Sequence, residues 1–442
     1  MLAETKESTK SEMFKRPWGR IASSPSLLAV VVLILLNLAL VSLNPLASFD
    51  PEKLPAAHSW IYWAAEDFRA QPQPANVVLL GSSLLVNPIC AQEANFLQKE
   101  VDSVVNHRCR YLESRLQDQA KQAEEKRPLP TPLRSSAQIT PQAQAGPSAT
   151  CFNFALPGSL MSDNYMILRT LLNGPRSPKM IVLGLALRDF IDNEVPCAAA
   201  TPVFRYLERY TDVSDIVDLA MPETWQRLEF SLRRHVYLLR KKLDVQSALS
   251  QFADANLRQG LQSGYSSCLL NQFDMSCYVP SLRSDIERNV WISKPNDCQP
   301  VKDNVPEYKR RYRTANYKLF QCQKVFLEKF LAEAKSRGIK ILIINLPTTR
   351  EHLTLMPQGA YSQYLEVLRA AENRFHTPFL DLNDDRRFYR ADFVDTCHMR
   401  GSGGKKLLDC IAQEVRKNPE LAKCLEISRD NPTFTAASST IY

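Results

Sequence analysis

The sequence predicts an α/β fold: a parallel sheet clothed in helices, preceded by one apolar helix of membrane length and interrupted by a helical, irregular insertion. Three observations carry that expectation. Short apolar runs at residues 76–80, 178–184, 339–345 and 378–382 alternate with stretches of helical periodicity. Such alternation builds parallel strands joined by crossover helices, with the sheet covered on both faces. From Leu27 to Leu43 the chain is apolar apart from Asn37 and Ser42, close to the roughly 20 residues that cross a bilayer when extended to Leu46. The interval from Pro202 to Pro306 carries no apolar run bounded like a buried strand, so it breaks the alternation.

The elements follow in order. Residues 1–26 hold Lys6, Lys10, Lys15, Arg16 and Arg20, whereas the first basic residue after the apolar run is Lys53. This asymmetry puts residues 1–26 in the cytoplasm, the anchor at 27–46, and everything after it on the extracytoplasmic side of the membrane. A cleaved signal peptide with its cut at Ala47-Ser48 is the competing reading, but the apolar run is long for a signal core. Residues 47–75 read as a connector ending in Gln71-Pro72-Gln73-Pro74. The main domain begins at 76 with the strand Asn76–Leu80 and runs to 201. Ala91–Lys126 reads as a polar helical stretch, and residues 127–150, rich in Pro, Gln and Ser, read as a mobile loop. A helix is expected over Ser162–Leu172 and a strand over Pro178–Gly184.

Residues 202–315 read as the insertion, with a basic amphipathic helix over Trp225–Lys242 and an aromatic-cationic run, Tyr308–Arg313, near its end. That helix offers two readings, contact with lipid headgroups or acidic glycan and a solvated face. The run likewise offers two, stacking on sugars and a solvated loop. The second part of the main domain, 316–425, opens with the amphipathic helix Asn316–Arg337, stopped by Gly338. The strand Ile339–Asn345, a helix over Tyr361–Phe375, the strand Pro378–Leu382 and a last helix over Gly403–Lys417 complete it. Residues 426–442 form a tail.

Composition narrows the function class. The 442 residues carry a net charge of +8, spread along the chain and not gathered into a nucleic-acid-binding block. A mild basic balance suits an anionic partner such as lipid headgroups or an acidic glycan. Eleven cysteines are many for a cytosolic enzyme, and their odd number leaves at least one outside any set of internal disulfides. Cys268, Cys277 and Cys298 cluster and are the candidates for a bridge. No zinc-type spacing occurs, and no metal or cofactor is expected.

Two distant segments carry the chemistry. Val77-Val78-Leu79-Leu80-Gly81-Ser82-Ser83 is an apolar strand ending in a glycine turn with serines at its tip. Asp395-Thr396-Cys397-His398 places a carboxylate three residues before an imidazole. A serine becomes a nucleophile beside a base, and the base works when a carboxylate orients it. Ser83, His398 and Asp395 are the candidates for those roles. Both segments fall where α/β sheets place their chemistry, beyond the carboxyl ends of strands.

At these residues the chain resembles the SGNH (GDSL-type) hydrolase family. Gly81-Ser82-Ser83 matches the first block, with Ser82 where the family has aspartate. Asn153-Phe154-Ala155-Leu156-Pro157-Gly158 is similar to the second block, and Asp395 with His398 matches the fifth. The third block, Gly184-Leu185-Ala186-Leu187-Arg188-Asp189, has Ala186 where the family carries an oxyanion asparagine. The resemblance implies a three-layer SGNH-like fold, an oxyanion hole formed by Ser83 and Gly158, and serine esterase or O-acyltransferase activity. Arg188 has three open roles: to replace the missing donor, to hold an anionic substrate, or to pair with Asp189. The Gly-Ser-Ser block behind a membrane anchor is also similar to envelope-polymer acylation proteins of the D-alanyl-lipoteichoic acid biosynthesis and alginate O-acetylation types. That likeness implies an acylated cell-envelope glycan or polymer as substrate and a membrane-bound O-acyltransferase as partner besides membrane lipid, while the spread of charge leaves no nucleic acid expected. A catalytically weak assembly subunit of an acyltransferase complex is the second expectation, favoured by Ala186.

Overall fold

The computed structural model describes residues 25–47, 60–125, 149–242, 245, 292–296, 301–383 and 385–426. The loop expected at 127–150 lies outside them up to residue 148, as do Cys268, Cys277, Cys298, the basic N-terminal segment and the tail beyond 426. The chain divides into two compact units, one made of residues 1–57 with 223–264 and the other of 58–222 with 265–442.

In the first unit, α1 (Pro25–Leu43) is a 19-residue helix with no buried side chain. It is long and apolar enough to cross a membrane. The second helix of this unit is Thr224–His235. It ends at Val236, whose backbone is extended, and residues 237–242 are helical again. The basic helix expected over Trp225–Lys242 is therefore two pieces joined by an elbow.

The second unit is mixed α/β. Its described helices of six residues or more are α2 (Trp60–Ala70), α3 (Ser83–Leu97), α4 (Arg110–Glu125), α5 (Met161–Thr170), α6 (Pro202–Leu207) and, numbering Thr224–His235 of the first unit as α7, α8 (Val305–Arg311), α9 (Tyr317–Ser336), α10 (Arg350–Leu355), α11 (Ala360–Phe375), α12 (Gly401–Lys417) and α13 (Pro419–Glu426). Five strands, β1 (Val77–Leu80), β3 (Cys151–Asn153), β4 (Met180–Leu185), β6 (Lys340–Asn345) and β7 (Phe379–Asp381), form one sheet in the order β3-β1-β4-β6-β7. Every neighbouring pair is parallel. All four residues of β1 and all six of β4 are buried. Successive side chains of a strand point to opposite faces, so helices cover both sides of the sheet. Two short strands, β2 (Val101–Asp102) and β5 (Ile292–Ser293), pair antiparallel as a separate ribbon. Among the described residues of 202–315, β5 is the one strand, and it lies outside the main sheet.

Strand order fixes where chemistry can sit. From β1 the chain moves to β3 on one side and then returns past β1 to β4 on the other. This reversal opens a crevice at the carboxyl ends of β1, β3 and β4. The closest helix packing in this unit serves the same end. A Cβ built on Gly404 of α12 would lie 2.1 Å from the Pro88 carbonyl oxygen of α3. Only glycine lets the two backbones approach so closely. The start of α12, just after His398, is thereby pressed onto α3, which begins at Ser83.

Three sequence expectations need correction. The connector 47–75 contains α2, whose Ile61, Ala64, Ala65 and Phe68 are buried at a spacing of three and four residues. Each large apolar group of this kind stabilises the fold by about 1.5–3 kcal/mol. Residues 91–126 are not one helical stretch. α3 begins at Ser83 because Leu84, Leu85, Val86, Ile89 and Cys90 supply an apolar face, and it ends at Gln98 in a left-handed conformation before β2 and α4. The Tyr308–Arg313 run is neither a solvated loop nor a sugar platform. It straddles the end of α8, with Tyr308 and Tyr312 buried and their rings against His352.

Candidate functional site

Ser83 is the first residue of α3, directly after the β1 turn. Its amide is one of the helix's first-turn donors, which have no partner inside the helix and sit at the positive end of the macrodipole. Ser83 Oγ lies 2.9 Å from His398 Nε2. His398 Nδ1 lies 2.7 Å from Asp395 Oδ2. Serine, imidazole and carboxylate thus stand in one hydrogen-bonded line, although 315 residues separate Ser83 from His398.

The turn carrying the last two groups is over-determined. Asp395 Oδ1 accepts the backbone N–H of Cys397 at 2.8 Å and of His398 at 2.7 Å. The Val394 N–H donates to the His398 carbonyl at 2.8 Å, closing the turn, and Thr349 N–H donates to the Thr396 carbonyl at 3.0 Å. Asn304 reaches in from the start of α8. Its Oδ1 accepts from Thr396 Oγ1 at 2.8 Å and from Thr396 N–H at 3.2 Å, while its Nδ2 donates to Cys397 Sγ at 3.5 Å.

A second histidine touches the same turn. His352 Nδ1 is 2.9 Å from Thr396 Oγ1, and its Nε2 is 3.3 Å from the Tyr312 hydroxyl. The single Thr396 hydroxyl proton goes to Asn304 Oδ1, which can only accept. His352 Nδ1 must therefore carry its own hydrogen and donate it, leaving Nε2 to accept from Tyr312.

Charge divides the two rings. Burial, helped by the neighbouring His398, lowers the His352 pKa to about 4, so the ring is neutral. Burial works the same way on His398, but the Cys397 sulfur and the Asp395 carboxylate outweigh it and hold the imidazole well above its ordinary value. Burial also opposes the Asp395 charge, and the hydrogen bonds from His398 and the two backbone amides overcome it, leaving the carboxyl below its usual range. His398 keeps 17 % of its side chain exposed.

The loop after β3 supplies Gly158, at φ +79°, a conformation natural to glycine. Neither its N–H nor that of Ser83 donates to an acceptor among the described residues. Arg188, buried after β4, donates from Nη1 to the Ser159 carbonyl at 3.0 Å and from Nη2 to the Gly158 carbonyl at 3.2 Å. It also meets the fully buried Asp192 at 3.2 Å, and Asp192 in turn accepts from Arg311 of α8 at 2.6 Å. The guanidinium is engaged with the backbone of the Gly158 loop. Its distance to Asp189 is longer, at 3.6 Å.

Asp189 caps its own turn, its Oδ2 accepting from Ala186 N–H at 2.9 Å. Burial, opposed by Arg188, raises its carboxyl pKa to about 6. Its Oδ1 and the Ser82 hydroxyl are both buried without a hydrogen bond of normal length, although the hydroxyl is near enough to favour the charged carboxylate. An aspartate at 82 would set a second buried carboxyl beside Asp189, a physical reason for the serine there.

The structure brings Ser83 and Asp395 to the two nitrogens of His398 and sets Arg188 on the Gly158 loop. Sequence reasoning missed Asn304, His352 and Asp192. No local pattern marks them, because each acts through a contact that exists only after folding. Asp395, Cys397 and His398 offer three metal-type donor atoms within 4.8 Å of one another, but the carboxylate and imidazole among them are already bonded to each other. The eight described cysteines are free thiols, and seven of them are buried. No protein-family model matches the chain, and no curated protein matches it either.

Proposed function

We propose that the second unit is an SGNH-like serine esterase or O-acyltransferase, tethered through α1 on the extracytoplasmic side of a membrane and acting on an acylated envelope glycan or polymer. The observation that carries this reading is the Ser83–His398–Asp395 line at the carboxyl end of a parallel sheet. Ser83 Oγ attacks the acyl carbonyl while its proton passes to His398 Nε2. Asp395 orients the ring and stabilises the imidazolium. The tetrahedral oxyanion is met by the amides of Ser83 and Gly158. His398 then gives its proton to the departing alkoxide, leaving an acyl-serine. Water as the second nucleophile gives hydrolysis, and a sugar hydroxyl gives transfer; in both, His398 takes the incoming proton and returns it to Ser83 as the ester breaks. Arg188 acts in this scheme by holding the Gly158 loop, and Asp192 with Arg311 holds Arg188.

The test is covalent capture. A fluorophosphonate should modify Ser83 of the purified chain, found by peptide mass mapping, and leave Ser83→Ala unmodified. Label on any other residue, or none on the wild type, would remove the enzyme reading. A second reading keeps the fold as a weakly catalytic assembly subunit of a membrane-bound O-acyltransferase complex. Ala186 favours it, because a missing oxyanion donor costs on the order of 3 kcal/mol of transition-state stabilisation. Absent labelling together with co-purification of such an acyltransferase would establish that alternative.

A further inference from the structure

α1 carries one amide side chain in the middle of its apolar sequence, and it has a specific occupation. Asn37 Nδ2 donates to the His235 carbonyl at 2.9 Å, and Asn37 Oδ1 accepts the Tyr237 N–H at 2.7 Å. These two backbone groups flank Val236, the extended residue of the elbow. Below it, the Tyr237 hydroxyl donates to Asn44 Oδ1 at 2.8 Å and accepts from Leu46 N–H at 2.8 Å. Tyr237 is fully buried. The elbow is thus bonded to α1 at two heights.

The heights matter. A helix of 19 residues is about 28 Å long, which matches a hydrocarbon core of about 30 Å. Asn37 precedes the end of α1 at Leu43 by about 9 Å along the axis. That is the depth, about 5–10 Å, at which interfacial helices bury their apolar face. A helix break in such a medium exposes backbone groups that water cannot reach, and each needs a protein partner. Asn37 supplies both partners.

The surface of α7 agrees. Trp225, Leu228 and Leu232, spaced by three and four residues, form one stripe, and they are 58 %, 59 % and 42 % exposed. Arg227 and Arg234 project from the opposite side of the helix, and Arg240, Lys241 and Lys242 follow the elbow. We propose that residues 224–242 are a second membrane element: an interfacial helix and elbow seated on α1 through Asn37, with Trp225, Leu228 and Leu232 among acyl chains and the basic residues at anionic phospholipid headgroups. This rests on α1 crossing the membrane and is independent of the chemistry at Ser83.

The full chain is reconstituted into phosphatidylcholine–phosphatidylglycerol vesicles whose acyl chains are brominated either near the headgroup or near the terminal methyl. The Trp225 contribution is isolated by subtracting the emission of Trp225→Phe. Shallow bromine should quench Trp225 several-fold more than deep bromine, and aqueous acrylamide should quench it weakly. Asn37→Leu should lose most of the bromine quenching while staying in vesicles washed at alkaline pH. Strong acrylamide quenching without bromine quenching would overturn the proposal, leaving a solvated helix. Shielding from both quenchers would also overturn it, showing that protein covers the stripe. Unchanged bromine quenching in Asn37→Leu would overturn the seating on α1. Release of the wild type by alkaline washing would instead remove the anchor reading beneath it.

Discussion

The four-residue turn Asp395–His398 ends in one histidine and is braced from outside by another, His352, and the charges of the two rings are driven in opposite directions. His398 meets the Asp395 carboxylate, and His352 meets the Thr396 hydroxyl one residue later. Burial opposes charge on both rings. Only the ring with an anionic partner overcomes it. The difference assigns the labour: one imidazole can take and hold a proton, while the other is a neutral strut between Thr396 and Tyr312. A histidine's use is set by the group opposite its Nδ1, which no spacing rule in the sequence records.

The comparison is broken most completely at Ser83. Ser83→Ala should abolish esterase turnover, and adding His398→Ala to it should cost little more, because the members of such a unit fail together. Turnover of a short acyl ester by the single and double variants measures this, and a Ser83→Ala protein that retains activity sinks the proposed chemistry. Asp395→Asn should follow, with kcat lower by on the order of 10⁴-fold, since it removes the group that fixes the ring's tautomer. It should also move the acidic limb of the profile. In the wild type the raised His398 must lose its proton before it can act, so kcat/KM should rise with pH through a value above the ordinary imidazole range of about 6.5. In Asp395→Asn the residual activity should rise at lower pH.

Arg188→Lys sharpens a different part of the contrast. Lysine keeps the charge but cannot span two carbonyls and Asp192 as a planar fork does. The expected loss is about ten- to hundred-fold in kcat with KM little changed, because the Gly158 amide is misplaced in the transition state. A fall in KM-linked binding alone would instead assign Arg188 to the substrate.

The smallest effect on rate belongs to His352, whose signature is in stability. Its pKa is depressed in the folded state, so the unfolded chain binds a proton that the folded chain refuses. Stability should therefore fall as pH drops from about 6.5 towards 4, by at most roughly 3 kcal/mol from this group. His398 works in the opposite sense: its raised value contributes stability at low pH that is lost as pH rises through the folded pKa. Denaturant midpoints of wild type and His352→Gln across that acidic window isolate the first slope, which should flatten in the variant. An unchanged slope would show that the His352 ring is already charged in the folded protein.

Much of this was legible in the letters. Ser83, Asp395, His398 and Gly158 announce themselves by residue type and by following apolar strand-like runs. The strands at 77–80, 180–185, 340–345 and 379–381 do so by apolar runs, broken only at the ends of the last two by Lys340, Asn345 and Asp381. What the letters withheld depends on packing. α2 lay hidden in a connector because it is short and its flanks are proline-rich. The role of Arg188 was open because three partners lie within its reach, and only folding selects the 158 and 159 carbonyls with Asp192. Asn304, far from the turn in sequence, becomes its brace only after α8 is placed.

The contact between Gly404 and Pro88 has a consequence for recognising other chains of this kind. The spacing between nucleophile and base is set where main chain meets main chain, with no side chain available to take up slack. A sequence that kept Ser83, Asp395 and His398 but carried a branched residue at 404 would possess the triad in spelling and not in space. The glycines trailing the histidine are therefore as much a condition of the Ser83–His398 contact as the two side chains that make it.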